Sequence, residues 1–584
     1  MPIHFDFGGF DPKSFTNNSG QDKADYTYDP QQSAKKPRKP IGTPVTRVLI
    51  NILVTVLFGL GYFYIELPAL NLQAEEFYVF VFMLCAVFCI SAVVTSGFES
   101  TSANGYFGFL KKQCTIPAGI ALLLVGVIAI GSLTSWVVFR ADAYSKLLPM
   151  ETGDFASEIT EVSYNTIPML DDASAQRLGD RKLGELSDMV SQFEVMNNYT
   201  QINYQGSPVR VTSLQYADLI KWFTNRSDGL PAYLIVDMVT QNVEVVRLDE
   251  GMKYTTAEHF SRNLYRHLRF NYPTFMFDEP VFEIDEEGTP YWVCSRIVKQ
   301  IGLFGGTDIE GAVVVNAITG EHEYYEEVPD WVDRVYTADI VLEQYDYYGL
   351  YNGGFLNSIF GQRDVTVTTS GYNYLVIDED VYVYTGITSV TSDQSNIGFI
   401  LSNQRTKDTT FYSVAGAEEY SAMGSAEGEV QHLGYDATFP LLINIADQPT
   451  YFMALKDDAG LVKMYAMVNV QQYQLVATGS TVAEAEEAYR LMLAANNIIG
   501  NDEVELEYGD LLSETGIIAE IRSSVVDGNT QYFFRMEGQT TYYQISAGEA
   551  PVAVLLDVGD QVFMSYHQTS ESEAITALQD ITYG

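Results

Sequence analysis

Catalysis needs nucleophiles, acid–base pairs or metal ligands at workable spacing, and this chain offers few. Its four cysteines stand at positions 85, 89, 114 and 294. Cys294 follows Tyr291-Trp-Val in an apolar run without a paired His motif, so it reads as a small buried hydrophobe rather than a nucleophile. His259 and His267 lie eight residues apart without a His-Glu-x-x-His pattern. His322 sits between Glu321 and Glu323, but neighbours on a strand face opposite ways and cannot ligate one ion together. His4, His432 and His567 are isolated. Gly302-Leu-Phe-Gly-Gly306 lacks the Lys-Ser/Thr ending of a phosphate-binding loop. The acidic runs Asp285-Glu-Glu287, Asp378-Glu-Asp380 and Asp457-Asp458 fall at turns and do not match the spacing of a Ca²⁺ loop. No catalytic residue, metal site or cofactor is expected. The densest aromatic cluster holds Tyr345, Tyr347, Tyr348 and Tyr351, followed by Asn352-Gly-Gly354. As an exposed loop it would stack on sugars or peptides, which makes these four tyrosines the candidate partner-binding residues. The alternative is a Tyr-rich strand and turn packed between modules.

Two stripes of small residues are candidates for helix packing: Cys85, Cys89, Ala92 and Ser96, and Gly119 with Gly126. Such stripes let helices approach closely in lipid. They lie in three apolar runs, Val48–Leu67, Phe77–Phe98 and Ile116–Phe139, each long enough to cross a bilayer. The second and third runs hold no charge, and the first only Glu66 at its far end. Ion and proton pathways need ionisable groups inside the membrane, so a transporter built from these helices alone is not expected. Asn51 and Thr55 are the main polar residues of the first run.

Lys35, Lys36, Arg38, Lys39 and Arg47 precede the first run, and Lys111 and Lys112 lie between the second and third; the link between the first two carries Glu75 and Glu76 and no base. This asymmetry predicts a cytoplasmic N-terminus and an extracellular C-terminal portion of a multi-pass plasma-membrane protein. The 584 residues carry a net charge of −43. Residues 1–140 hold ten Lys/Arg and nine Asp/Glu, leaving 23 and 67 for residues 141–584. The acidity thus belongs to the exported portion and argues against nucleic-acid binding.

A repeat organises that portion. Leu234-Ile-Val-Asp-Met-Val-Thr-Gln-Asn-Val-Glu-Val-Val246 aligns with Val313-Val-Val-Asn-Ala-Ile-Thr-Gly-Glu-His-Glu-Tyr-Tyr325, both reading as strand, polar turn and return strand. Helices are expected over Arg181–Met196, Thr255–Arg269 (opening with a Thr-Thr-Ala-Glu capping box), Ala417–Leu433 and Val482–Asn497. One helix followed by antiparallel strands ending in Val-Val-Asn-Ala-Ile-Thr-Gly-Glu resembles a PepSY-type domain, over about 253–327, with a weaker copy over 181–250. Asn316 stands where that family usually has Asp. The resemblance implies small extracytoplasmic modules that bind or restrain partner proteins and carry no catalytic residues. Five short strands after residue 515, with Val558-Gly-Asp-Gln-Val562, look like an OB-like barrel. The chain as a whole resembles envelope membrane proteins of clostridia-type Firmicutes.

The expected organisation is a disordered tail (1–44), three transmembrane helices (45–140), a linker and first PepSY-like module (141–250), a second (251–330), a β-rich connecting module (331–415), an α+β module (416–500) and an OB-like barrel (501–584). This is a three-helix membrane protein with a multi-module α+β and all-β ectodomain. Its partners are the lipid bilayer and a membrane or envelope protein or a second copy. The expected role is non-enzymatic binding or scaffolding. An envelope hydrolase with a carboxylate pair and a signal receptor are the alternatives.

Overall fold

The computed structural model describes residues 40–97, 103–159, 167–168, 170–377, 379–390, 395–500, 511–526, 529–539, 541–547, 550–567, 575–578 and 580–583. Backbone proximity divides the chain into two compact units. One is Val81–Leu123 with the chain up to Gly61, and the other is Tyr62–Phe80 with Leu124–Gly584. Helices α1 (Pro44–Glu66), α2 (Glu75–Ser96) and α3 (Ala103–Ser135) are long and apolar enough to cross a membrane. The third ends sooner than the apolar run: Trp136 takes an extended conformation, and a separate short helix α4 (Val137–Tyr144) follows.

In the smaller unit one buried polar residue ties the helices together. Asn51 on α1 donates to Gln113 Oε1 on α3 (2.9 Å) and accepts from Ser91 Oγ (2.8 Å) and Thr95 Oγ1 (3.0 Å) on α2. Removed from water, each of these groups needs a partner, and each finds it on another helix.

After β1 (Met150–Gly153) and α5 (Phe155–Glu158), the larger unit repeats one topology four times. The first copy comprises α6 (Asp172–Gly184), β2 (Phe193–Val195), β3 (Thr200–Tyr204), β4 (Ser207–Tyr216), an inserted helix α7 (Leu219–Asn225), β5 (Leu230–Asp237) and β6 (Val243–Met252). The second has α8 (Leu264–Asn271), β7 (Met276–Phe277), β8 (Val281–Ile284), β9 (Pro290–Ile301), β10 (Gly305–Asn316) and β11 (His322–Tyr325). The third has α9 (Ala338–Tyr351), β12 (Thr366–Thr368), β13 (Asn373–Ile377), β14 (Asp380–Ser389), β15 (Ser395–Asn403) and β16 (Thr409–Tyr412), and its sheet also takes up β1, parallel to β16, and β17 (Gly416–Ala417). The fourth has α10 (Glu419–Glu429), β18 (Asp436–Ala437), β19 (Leu441–Ile445), β20 (Gln448–Lys456), β21 (Val462–Asn469) and β22 (Val476–Gly479), followed by α11 (Val482–Ala495). In every copy two short strands share one edge of the first long strand, and the second long strand and the last strand complete the sheet. The segment expected to be a β-rich connector is therefore a full copy with its own helix.

The turn before the last strand shows why the aligned residues recur. Asp237 Oδ1 accepts from the backbone N–H groups of Val239 and Thr240, Asn316 Oδ1 from Ile318 and Thr319, Asn403 Oδ1 from Arg405 and Thr406, and Asn469 Oδ1 from Gln471 and Gln472. A short side-chain carbonyl at this position closes the turn by itself, so Asp and Asn serve equally. The next residue in each copy (Met238, Ala317, Gln404, Val470) donates its N–H to the start of the first long strand, at Pro208, Pro290, Val381 and Pro449.

Two expected helices shift for reasons of capping. Of the expected Arg181–Met196 helix only the first four residues are helical: α6 covers Asp172–Gly184, capped where Asp171 accepts from Ser174 N at 3.0 Å, and Phe193–Val195 is strand β2. The helix expected to open at Thr255 forms only from Leu264, capped by Asn263. Glu258, cast as the capping-box carboxylate, is buried instead and accepts from Tyr216 Oη (2.6 Å) and Trp222 Nε1 (2.8 Å). α10 spans Glu419–Glu429, and α11 carries a capping box formed by Thr481 and Glu484.

Packing joins the copies in pairs. One apolar cluster spans the first two, from Leu170 to Ala317, and a larger one runs through the third and fourth, from Phe155 to Ile499. The C-terminal strands β23 (Leu511–Val526), β24 (Asn529–Met536), β25 (Tyr542–Ser546), β26 (Gln561–His567), β27 (Ile575–Ala577) and β28 (Asp580–Tyr583) form one sheet in the order β27-β25-β24-β23-β26-β28. The long β23 pairs with β26 through Ile517 and with β24 from Ile518 onward. That hydrogen-bonded path does not close, so the expected barrel is, among the described residues, an open sheet.

Candidate functional site

The tyrosine cluster lies on a helix, not on an exposed loop. Its residues fall within α9, where period 3.6 turns Tyr345 inward. Tyr345 is 2% exposed, and its hydroxyl pairs with Thr366 Oγ1. Tyr347 meets the Tyr144 ring edge-on at 4.8 Å and donates to Glu343, Tyr348 packs beside Tyr345, and Tyr351 stacks between Tyr347 and Phe355. None of the four is exposed. On α2, Ala92 and Ser96 are buried, whereas Cys85 and Cys89 are half-buried. Gly119 and Gly126 face open space: a side chain built at either meets nothing within 4 Å. Cys294 is buried, and burial pushes its thiol well above the usual range, which disfavours the thiolate.

Two carboxylates with perturbed acidity do come together, at the seam of the first three copies. Glu283 on β8 accepts from the N–H groups of Asp333 (2.9 Å) and Arg334 (3.0 Å), while Asp333 accepts from Asn203 N (2.6 Å) on β3. Loss of hydration pushes Glu283 up to about 7, against the two N–H bonds that oppose it. Burial first and the charge of Glu283 second raise Asp333 as well. Both groups are essentially sealed, at 0% and 2% exposure. A hydrolytic pair needs room for substrate and water; this pair joins structural segments.

The constellation with the widest reach is the end of the second copy that receives the α1–α2 link and the end of α3. Arg269 on α8 donates to Leu67 O (2.8 Å), just beyond α1, and to Phe275 O (2.6 Å). Arg266 donates to Tyr64 O (3.1 Å) and lays its guanidinium over the Tyr64 ring at 4.3 Å. The link between α1 and α2 is then pinned residue by residue: Leu70 N to Pro273 O, Asn71 Nδ2 to Thr274 O, and Gln73 reciprocally with the backbone of Lys299.

The end of α3 is held by the tip of the β9–β10 hairpin, Gly302-Leu-Phe-Gly-Gly306. Ser135 Oγ accepts from both Leu303 N (3.0 Å) and Phe304 N (2.9 Å). Gly131 lies so close that an added methyl would sit 2.6 Å from the Phe304 ring. Gly302 and Gly306 have φ of +64° and +65°, a backbone that favours glycine. The glycine tract set aside in the sequence is thus a docking tip. Its Gly-x-x-Gly-Gly composition signals a turn, and nothing local shows what the turn meets.

The chain matches no protein-family model and no curated protein.

Proposed function

We propose that the chain is a non-enzymatic, membrane-anchored scaffold of the cell envelope, whose outer modules bind a protein or envelope partner. The observation that carries this reading is the serial array of four like sheets, one with a long free edge. β6 runs ten residues and pairs only with β5 among the described residues. Glu244, Arg247, Asp249 and Glu250 are exposed along it. An unpaired edge of this length offers backbone donors and acceptors to an added strand, and its charges limit indiscriminate pairing. The Lys/Arg distribution supports a cytoplasmic N-terminus with the repeats outside. The attachment of the α1–α2 link and the α3 end to the same copy supports these ends sharing that side. The four-fold topology with its Asx turn is in keeping with PepSY-like modules that hold partner proteins.

The test is photo-crosslinking in cells from benzoyl-phenylalanine placed at Glu244 or Arg247 of the full chain. A discrete protein adduct, absent when the probe stands at exposed Asp458 in the fourth copy, is expected. Adducts no different from those at Asp458 would sink the proposal.

A further inference from the structure

The exported portion is strongly acidic, yet two stretches of it carry no acid. Residues 219–226 hold Lys221 and Arg226, and residues 259–277 hold Arg262, Arg266 and Arg269; neither stretch contains an Asp or Glu. The two are far apart in sequence and belong to different copies. They meet through Arg262, whose guanidinium donates to Arg226 O (2.6 Å), and through Trp222, which packs edge-on against His259 at 4.7 Å.

This same surface is apolar. α7 is capped by Asp218, which accepts from Ile220 N and Lys221 N, and it turns Trp222 inward onto Glu258. Its other face presents Leu219 at 65%, Ile220 at 72% and Phe223 at 59% exposure, with Phe260 beside them at 61%. Arg226 covers the Phe223 ring at 4.3 Å. A cavity of about 520 Å³ runs from these side chains to Tyr64. Tyr64 lies in the last turn of α1, where Phe63 and Tyr64 also pack against the exposed Phe270 at 5.5 and 6.3 Å.

The patch is therefore continuous with the end of a helix long enough to span a bilayer, at the depth where aromatic side chains gather. Exposed apolar side chains flanked by bases, with the bordering Asp218 committed to capping α7, suit an interface of acyl chains and anionic headgroups. We infer that the α7 face and Phe260 rest in the bilayer's outer interface and bind phospholipid, holding the first two copies down against the membrane. This inference rests on the membrane-spanning reading of α1.

The experiment places benzoyl-phenylalanine at Phe223 of the full chain in vesicles of phosphatidylcholine with a minority of phosphatidylglycerol, and identifies the adducts by mass spectrometry. Leu57 in the middle of α1 and Phe360, 82% exposed after α9, serve as references. Lipid adducts at Leu57 and Phe223 but not at Phe360 are expected. The Phe223 adduct should fall several-fold when Lys221→Glu and Arg226→Glu are combined. Lipid adducts at Leu57 with none at Phe223, or a chain-to-chain adduct at Phe223, would overturn the inference while leaving the membrane helices in place. No lipid adduct at Leu57 would overturn both.

Discussion

The Glu283–Asp333 seam makes a prediction whose sign can be worked out. Glu283 is fully buried, and its carboxyl is pushed from 4.5 to about 7. Between those values the folded chain keeps a proton that the unfolded chain has released. The slope of unfolding free energy with pH is then negative. The favourable contribution is complete below about pH 4.5 and is lost as pH rises through about 7. At about 1.4 kcal/mol per pH unit, the loss is on the order of 3 kcal/mol. Glu283→Gln cannot ionise, so this loss disappears. The amide has one carbonyl oxygen for two backbone donors, which leaves either Asp333 N or Arg334 N unpaired at about 1–3 kcal/mol. The variant should be less stable than the parent near pH 5 and equal or more stable near pH 8. Denaturant unfolding of the full chain in detergent, followed by the fluorescence of Trp292 and Trp331, measures the difference at both pH values. Because Glu283 raises Asp333 in turn, the two titrate as a pair and the variant flattens the curve further. A parent-minus-variant difference that stays constant with pH would refute the assignment of proton uptake to this seam.

Three other outcomes follow from the contacts. Asn403→Ala should cost about 2 kcal/mol in the same unfolding assay, since it removes the turn acceptor and a 2.7 Å donation to Asp380; Asn316→Asp should be nearly neutral, because Asp237 fills the same role. Asn51→Leu removes three interhelical hydrogen bonds and should cost about 2 kcal/mol, read as loss of helicity at a lower fraction of dodecyl sulfate. Gly131→Leu puts a side chain where the Phe304 ring lies, so the hairpin tip should undock and chymotrypsin should cut at Leu303 or Phe304 faster than in the parent.

How far the fold could be read varied with the range of the interactions involved. The Asx turn in the first two copies was visible because one side chain and the next few N–H groups make it. The other two copies share that turn and topology but carry different apolar residues around it, as cores tolerate many combinations of similar volume. The tyrosines of α9 were misplaced because Gly349 and the following Asn-Gly-Gly suggested a loop, whereas packing of Tyr345 and Val341 in the same apolar cluster favours the helix. Glu258 was misread because a capping box and a buried acceptor look alike until Tyr216 and Trp222 are placed around it.

By itself the sequence determined the properties that add along the chain: three apolar spans, the segregation of acid beyond residue 140, and the turn chemistry that recurs. Those depend on length, composition and near neighbours. The tertiary structure alone decided which distant segments share a surface. It brought α7 and the 259–277 stretch together as one basic, apolar patch beside Tyr64, seated a glycine hairpin on Ser135, and sealed two carboxylates in a seam. Such meetings depend on the shapes of whole sheets and on the N–H and C=O groups left over at their ends, which no local pattern encodes. The net negative charge beyond residue 140 is thus an average that this patch does not share.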